Sequence, residues 1–147
     1  MDAERCERTA ELSFGHPVET VFEMFTPGGE RAWADGWDPR PIHPPETGVR
    51  DAVFETEHSG HAVWFVAELD RSSNVVEYVN FVAGERVTRV DVACDAVGPS
   101  EARVVVRYVV TGLSESGNAY VRRFDAHFDH EMGEWQRLIA AVLDAGA

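Results

Sequence analysis

The chain has 147 residues and a mass of 16.3 kDa, the usual size of one domain, and we assign residues 1–147 to a single domain. Its residues are 44% hydrophobic and 27% charged, which permits a buried core and argues against a disordered chain. The net charge of −13 would repel phosphate backbones and anionic lipids, so we expect no nucleic-acid partner and no membrane insertion.

The basic residues and the cysteines exclude one type of catalysis and one class of fold. All 13 basic residues are Arg, and the absence of Lys excludes Schiff-base catalysis by a lysine of this chain. The two cysteines, Cys6 and Cys94, are too few for a disulfide scaffold. Residues 1–5 lack the apolar run of a signal peptide, and no stretch approaches the ~20 apolar residues of a membrane helix. We therefore expect a cytoplasmic protein.

The first part of the chain predicts a strand followed by two short helices. Polar and apolar residues alternate over residues 8–14, the period of a half-buried strand. A short amphipathic helix follows over residues 17–25, with Pro17 at its first helical position. After a Pro-Gly-Gly stop, residues 30–34 predict one more helical turn, which carries Trp33.

The middle of the chain predicts an antiparallel meander. A proline-rich segment contains a short edge strand over Arg40–His43. Further strand-like stretches, separated by turn signals, cover residues 52–58, 61–69, 75–82, 86–97 and 102–112. In the last two, apolar residues alternate with charged ones, as Val90 does with Arg89 and Asp91. One face of the sheet should therefore be apolar, and the other should carry cross-strand charge pairs in water.

The chain closes with a predicted amphipathic helix from about residue 116 to 144, on the order of 40 Å long. Its apolar stripe contains Val121, Phe124, Phe128, Trp135, Leu138, Ile139 and Val142. Such a stripe needs a broad partner surface, and the apolar face of the meander is the only candidate. The predicted class is therefore α+β.

Three segments carry a resemblance to a known family: HPVETVF over residues 16–22, AVWFV from residue 62 towards Asp70, and TGLSESGN over residues 111–118. With the order of elements, they resemble the helix-grip fold of the START-like superfamily, also called SRPBCC. That group includes polyketide cyclases and aromatases, lipid-transfer domains, the birch-pollen allergen and an activator of a chaperone ATPase. The resemblance implies six or seven antiparallel strands wrapped around the C-terminal helix. It also implies an apolar cavity entered near the short helices.

Aromatic and polar residues predict where such a cavity would lie. The resemblance places Trp33 and Trp37 at its entrance, where large aromatic rings clasp apolar ligands, although they also serve in ordinary packing. On residues 75–82, Tyr78 and Asn80 face inward if Val76 does, and they need a partner from protein, water or ligand. The candidate ligand-binding residues are Trp33, Trp37, Trp64, Tyr78, Asn80, Tyr108, Phe124, Phe128 and Trp135.

Several other patterns are weaker. His127, His130 and Glu131 could share a helix edge, but a zinc site would need further ligands, and we expect no metal and no cofactor. The turn Ser59-Gly60 predicts a two-residue hairpin, with His58 and His61 opposite each other as rim residues. Cys94 falls on the inward face and should behave as a small hydrophobic residue.

Three functions are compatible with these features. The first is a binding protein for an apolar, lipid-like or polyketide-like small molecule. The second is a cyclase, aromatase or dehydratase that folds its substrate and uses a Tyr or His for acid–base chemistry. No catalytic motif is intact, and no inward pair of Arg or His on the sheet is evident, which lowers this alternative. The third is a chaperone-regulating domain with an exposed binding face and no ligand-sized cavity. A homodimer is compatible with all three.

Overall fold

The computed structural model describes residues 1–146, which form one antiparallel sheet, two α-helices and a 3₁₀ turn. The strands are β1 (Arg5–Phe14), β2 (Arg40–His43), β3 (Val53–Thr56), β4 (Ala62–Asp70), β5 (Val75–Val82), β6 (Arg86–Gly98) and β7 (Glu101–Gly112). The helices are α1 (Val18–Glu23), the 3₁₀ turn (Gly29–Ala32) and α2 (Glu115–Ala145). Within the described residues the strand order is β1-β7-β6-β5-β4-β3-β2. The predicted α+β architecture, with the edge strand β2, is confirmed.

The long helix α2 packs across the inner face of the sheet, chiefly against β1 and β7. Its N-terminus is capped by Ser114, whose side chain accepts a hydrogen bond from the Gly117 amide at 3.1 Å. The core-facing side of α2 buries Val121, Phe128, Met132, Ile139 and Leu143. Since an amphipathic helix of this length depends on tertiary packing for stability, the sheet and α2 stabilise each other.

The two faces of the sheet differ as the alternation predicted. Val76, Tyr78 and Asn80 are buried on the inner face. On the outer face, Arg107 of β7 lies 3.2 Å from Asp91 of β6, and Arg103 lies 3.6 Å from Asp95, so the predicted cross-strand charge pairs are confirmed. These pairs are partly exposed and contribute little to stability individually.

Two local predictions are wrong. Pro17 is the N-cap of α1, not its first helical residue, because its ψ of 144° is extended. The connection between β3 and β4 is longer than two residues, because the register pairs Thr56 with Ala62. His58 therefore does not face His61, which instead lies 3.3 Å from Glu55. The turn depends on Gly60, whose φ of +84° favours glycine.

Both cysteines are free thiols, and Cys94 is only 2% exposed. Burial raises the pKa of Cys94 to about 12, so the residue behaves as the small hydrophobic side chain that the sequence predicted. No described helix is both long and apolar enough to cross a membrane.

Two glycines of α2 give a test of how closely the helix approaches the sheet. A Cβ added at Gly117 would lie 1.8 Å from the backbone oxygen of Glu85, whereas a Cβ at Gly133 would meet nothing within 4 Å. We expect Gly117→Ala to lower the free energy of unfolding by about 1–3 kcal/mol through overpacking. We expect Gly133→Ala to raise it by about 0.5–1 kcal/mol, because alanine favours the helix.

Urea unfolding followed by tryptophan fluorescence measures both variants. Equal effects of the two substitutions would contradict this account of the packing.

Candidate ligand-binding site

A cavity of about 510 Å³ lies between the inner face of the sheet, α2 and the segment that follows α1. Its floor comes from inward positions of β3 to β7, and its roof comes from one side of α2. Exposed lining residues, among them Asp35, His58 and Glu131, mark its opening to solvent. The lining residues are Glu30, Trp33, Ala34, Asp35, Trp37, Thr56, His58, Ser59, Ala62, Trp64, Asn80, Arg86, Thr88, Tyr108, Tyr120, Phe124, Glu131, Glu134, Trp135 and Leu138.

Aromatic rings from four parts of the chain form most of the apolar wall. The ring centroids of Trp33 and Trp135 are 5.1 Å apart, those of Trp37 and Trp64 are 5.2 Å apart, and Phe124 lies 4.9 Å from Tyr108. These edge-to-face and tilted arrangements are the ones that aromatic pairs prefer.

Three of the four tryptophans in the wall have indole nitrogens that donate hydrogen bonds to protein. Trp33 donates to the Met24 carbonyl at 2.7 Å, and Trp37 donates to the Pro27 carbonyl at 2.8 Å. Trp64 donates to Thr56 Oγ1 at 2.9 Å. The three rings are therefore held in place by the protein, and they offer apolar surface to the cavity.

Other polar side chains in the lining have no protein partner. Asn80 and Thr88 are only 7% and 5% exposed, yet neither side chain hydrogen-bonds to another described residue. The same holds for the Tyr108 hydroxyl within residues 1–146. Among the described residues no side-chain nitrogen or oxygen is both fully buried and unpaired, so these polar atoms reach the space of the cavity, where they are available to a bound molecule or to water.

Glu30 is an acidic residue that lines both the cavity and the small void adjoining it. It lies on the 3₁₀ turn, is partly buried, and its carboxylate makes no hydrogen bond or ion pair with any residue from 1 to 146. Burial raises the pKa of Glu30 well above its ordinary value. Burial is also the main cause of the raised pKa of Tyr78 and Tyr108, to which the nearby Glu30 carboxylate adds.

Sequence reasoning gave Glu30 no role. One signal could have found it: Glu30 precedes Trp33 by three residues, so within a helical turn the two side chains share a face. A tryptophan predicted at a cavity entrance therefore points to the glutamate beside it.

The opposite end of the cavity is closed by Arg86. Its guanidinium pairs with Glu85, donates to the Ser59 carbonyl at 3.0 Å and lies 3.6 Å from the centre of the Tyr120 ring. Arg86 of β6 thus points inward and is 5% exposed, but it is a single arginine and not the inward pair of Arg or His that an enzyme of the predicted kind would use. Because its charge is already compensated, this arginine contributes shape more than free positive charge.

The structure brings most of the predicted site residues together. Trp33, Trp37, Trp64, Asn80, Tyr108, Phe124 and Trp135 line the cavity. Tyr78 and Phe128 do not. The Tyr78 hydroxyl donates to the Phe25 carbonyl at 2.6 Å, and Tyr78 borders a small void of about 20 Å³ that adjoins the cavity. Phe128 is 1% exposed and lies under the Arg8 guanidinium, because this part of α2 faces β1.

The helix-edge histidines do not form a metal centre. The ring Nδ1 of His127 lies 2.8 Å from the Arg123 carbonyl, and His130 is exposed. Among residues 1–146 no group of three or more His, Cys, Asp or Glu side chains is placed to hold a metal ion.

The unpaired carboxyl of Glu30 has a consequence for stability. Its pKa is raised in the folded state, so the folded chain holds this proton to higher pH than the unfolded chain does. Stability is therefore lost as pH rises above the ordinary glutamate pKa. We expect Glu30→Gln to be more stable than the native chain at about pH 8, and this gain should shrink towards about pH 4.

Urea unfolding at the two pH values checks this. The matched control is Glu101→Gln, an exposed glutamate at the β6–β7 turn, far from the cavity. A gain for Glu30→Gln that does not change with pH would show that this carboxyl is not buried and unpaired.

No protein-family model matches the sequence, and no curated protein matches it either. Solved structures do match. Norcoclaurine synthase from Thalictrum flavum, in complex with dopamine and hydroxybenzaldehyde, has a TM-score of 0.71 at 7% identity, covering 99% of this chain and 90% of that one. The Zhui aromatase/cyclase from Streptomyces sp. R1128 has a TM-score of 0.67 at 9% identity, covering 95% and 93%. Ara h 8.0201 has a TM-score of 0.62 at 13% identity, covering 96% and 99%.

At these identities the likeness concerns the fold. It extends over nearly the whole of each chain, including the antiparallel sheet and the long C-terminal helix. The chain therefore has the helix-grip fold that these structures share, as the order of its elements predicted.

Proposed function

We propose that this protein binds a small, mainly apolar molecule that carries a hydrogen-bonding group, and that the ligand occupies the cavity between the sheet and α2. The observation that carries the proposal is the combination of an aromatic wall with Asn80, Thr88 and Tyr108, whose polar atoms have no protein partner within residues 1–146. Apolar pockets with a few convergent polar groups are the usual form of small-molecule sites.

The dimensions of the cavity agree with this role. A volume of about 510 Å³ falls within the range of ligand pockets. Inward positions on one strand are about 7 Å apart, so β6 presents Thr88 and then Arg86 along the cavity, while Val90 borders the adjoining void. A ligand lying along the strands would place its apolar body beside Trp135 and its hydrogen-bonding group near Asn80 and Thr88.

The similar structures support a site for ring-bearing molecules on this fold. One is a complex with dopamine and hydroxybenzaldehyde, and another is an aromatase/cyclase. The present chain could hold a polyketide-like or lipid-like molecule in the corresponding space. The chaperone-regulating alternative required a chain without a ligand-sized cavity, and the described residues enclose one.

Glu30 favours a second candidate, an acid–base enzyme. A carboxyl that keeps its proton to higher pH can donate it to a carbonyl oxygen of a bound molecule and later recover it. Tyr108 lies close to the same carboxylate and could assist by hydrogen bonding. Tyr78 is less suited to this role, because its hydroxyl already donates to Phe25.

Filling the cavity tests the binding function. Thr88 points into the cavity and its neighbour Val87 lies on the outer face of β6, so Thr88→Phe and Val87→Phe form a matched pair. The neutral fluorophore N-phenyl-1-naphthylamine should bind the native chain and Val87→Phe. Its affinity should fall by about tenfold or more in Thr88→Phe, because the new ring occupies the site.

Fluorescence titration measures the affinities, and circular dichroism confirms that each variant is folded. Equal binding by a folded Thr88→Phe variant would place the ligand elsewhere and contradict the proposal.

Native mass spectrometry of freshly purified protein separates the carrier from the enzyme. For a carrier, we expect a bound molecule that solvent extraction releases. When this molecule is added back to the protein and incubated for a prolonged time, it should bind again, and its mass should not change. A change of mass that Glu30→Gln or Tyr108→Phe prevents, while binding is retained, would instead establish the enzymatic function.

A further inference from the structure

We infer that the ligand of this cavity is an organic cation, an amine or quaternary ammonium group on an aromatic or other apolar body, with its positive charge beside Glu30. This inference rests on the proposed binding function and names the class of ligand.

The ionisable side chains that line the cavity are mostly acidic. Four carboxylates face it, from Glu30, Asp35, Glu131 and Glu134, against one guanidinium, that of Arg86. Arg86 is paired with Glu85, and Glu134 is paired with Arg137 at 2.6 Å. The other three carboxylates have no ion-pair partner among residues 1–146. An anionic ligand would be repelled, whereas a cation would be attracted.

The surroundings of Glu30 suit a cation with apolar substituents. Trp64, Tyr108 and Trp135 border the same small void as Glu30, and Trp33 packs against Trp135. The faces of tryptophan and tyrosine rings attract cations, most strongly where water is excluded. A carboxylate surrounded by such rings offers both the counter-charge and the apolar contact that an alkylated ammonium group needs.

A second observation, independent of the acidic groups, indicates a ligand that carries a hydrogen-bonding group. Asn80 and Thr88 are more than nine-tenths buried, line the cavity and lack hydrogen bonds to other described residues. Asn80 is the next inward position after Tyr78 on β5, about 7 Å along the strand. A ligand with its charge beside Glu30 therefore reaches Asn80 with a second polar group or with bound water.

The stability of the unliganded chain also favours a cationic ligand. A partly buried carboxylate among aromatic rings costs stability when it is ionised, and no described residue supplies an ion-pair partner for it. A bound cation supplies the missing partner. Asp35 and Glu131, exposed at the opening, and the net charge of −13 would favour the approach of a cation.

Three probes with one phenylethyl body test the inference. They are trimethyl(2-phenylethyl)ammonium, a permanent cation; 2-methyl-4-phenylbutan-2-ol, a neutral molecule of similar shape; and 3-phenylpropionate, an anion. Each is measured by displacement of N-phenyl-1-naphthylamine at fixed ionic strength. We expect the cation to bind about tenfold or more tightly than the alcohol, and the anion to bind most weakly.

Glu30→Gln should lower the cation-to-alcohol ratio of affinities by about tenfold. Glu101→Gln removes the same formal charge at the distant β6–β7 turn and should leave the ratio unchanged. This control distinguishes the effect of a charge in the cavity from the effect of the net charge of the chain. Circular dichroism confirms that both variants are folded.

The pH profile gives a second measurement. Glu30 gains its charge as pH rises, so the affinity for the permanent cation should rise with pH in the native chain and lose this rise in Glu30→Gln. The other titratable or charged groups that face the cavity and its adjoining void are Asp35, His58, Tyr78, Arg86, Tyr108, Tyr120, Glu131 and Glu134. A profile that is the same in both chains belongs to those groups and would overturn the role of Glu30.

The outcomes separate the two proposals. If the fluorophore binds but the alcohol competes as well as the cation, the cation inference fails and the binding function stands. If neither the fluorophore nor any probe binds, the binding function fails, and the inference fails with it.

Discussion

The close approach of α2 to the sheet, at two glycines, determines the geometry on which the site depends. A Cβ at Gly117 would lie 1.8 Å from the Glu85 carbonyl oxygen, and a Cβ at Gly112 would lie 2.2 Å from Asn118 Oδ1. Asn118 also accepts a hydrogen bond from the Glu4 amide at 2.9 Å, which ties the start of α2 to the residues just before β1. Since the helix backbone cannot move closer or slide, the cavity is the space that side chains leave between α2 and the sheet.

The aromatic wall and the other polar side chains of the cavity differ in whether their polar atoms hydrogen-bond to protein. The indole nitrogens of Trp33, Trp37 and Trp64 all donate to protein acceptors, so these rings have fixed positions. Asn80 and Thr88 have no such partners within residues 1–146, although both are buried. A rigid apolar wall lowers the entropy lost on binding, and unpaired polar groups give a ligand its orientation.

The two ends of the cavity also differ in charge compensation. Arg86 is buried but paired with Glu85 and stacked on Tyr120, which is the arrangement that a buried charge needs. Glu30 has rings around it and no cation among the described residues, which burdens the folded chain with an unpaired acid. Because Glu30 lacks a partner within residues 1–146, its ionisation lowers the stability of the fold as pH rises. The same carboxylate is the group that the proposed ligand would pair with.

The sequence by itself determined the elements whose signals are local. Alternation with a period of two placed Val90 inward and Arg89 outward, because successive side chains of a strand point to opposite faces. The order of elements likewise predicted the fold.

Only the tertiary structure decided the loop lengths, the direction of individual helix side chains and the membership of the site. The register that pairs Thr56 with Ala62 lengthened the hairpin loop, and the packing of α2 against β1 placed Phe128 under Arg8. Glu30 became part of the site because distant segments pack around its turn, and long-range contacts of this kind leave no periodic pattern in the sequence.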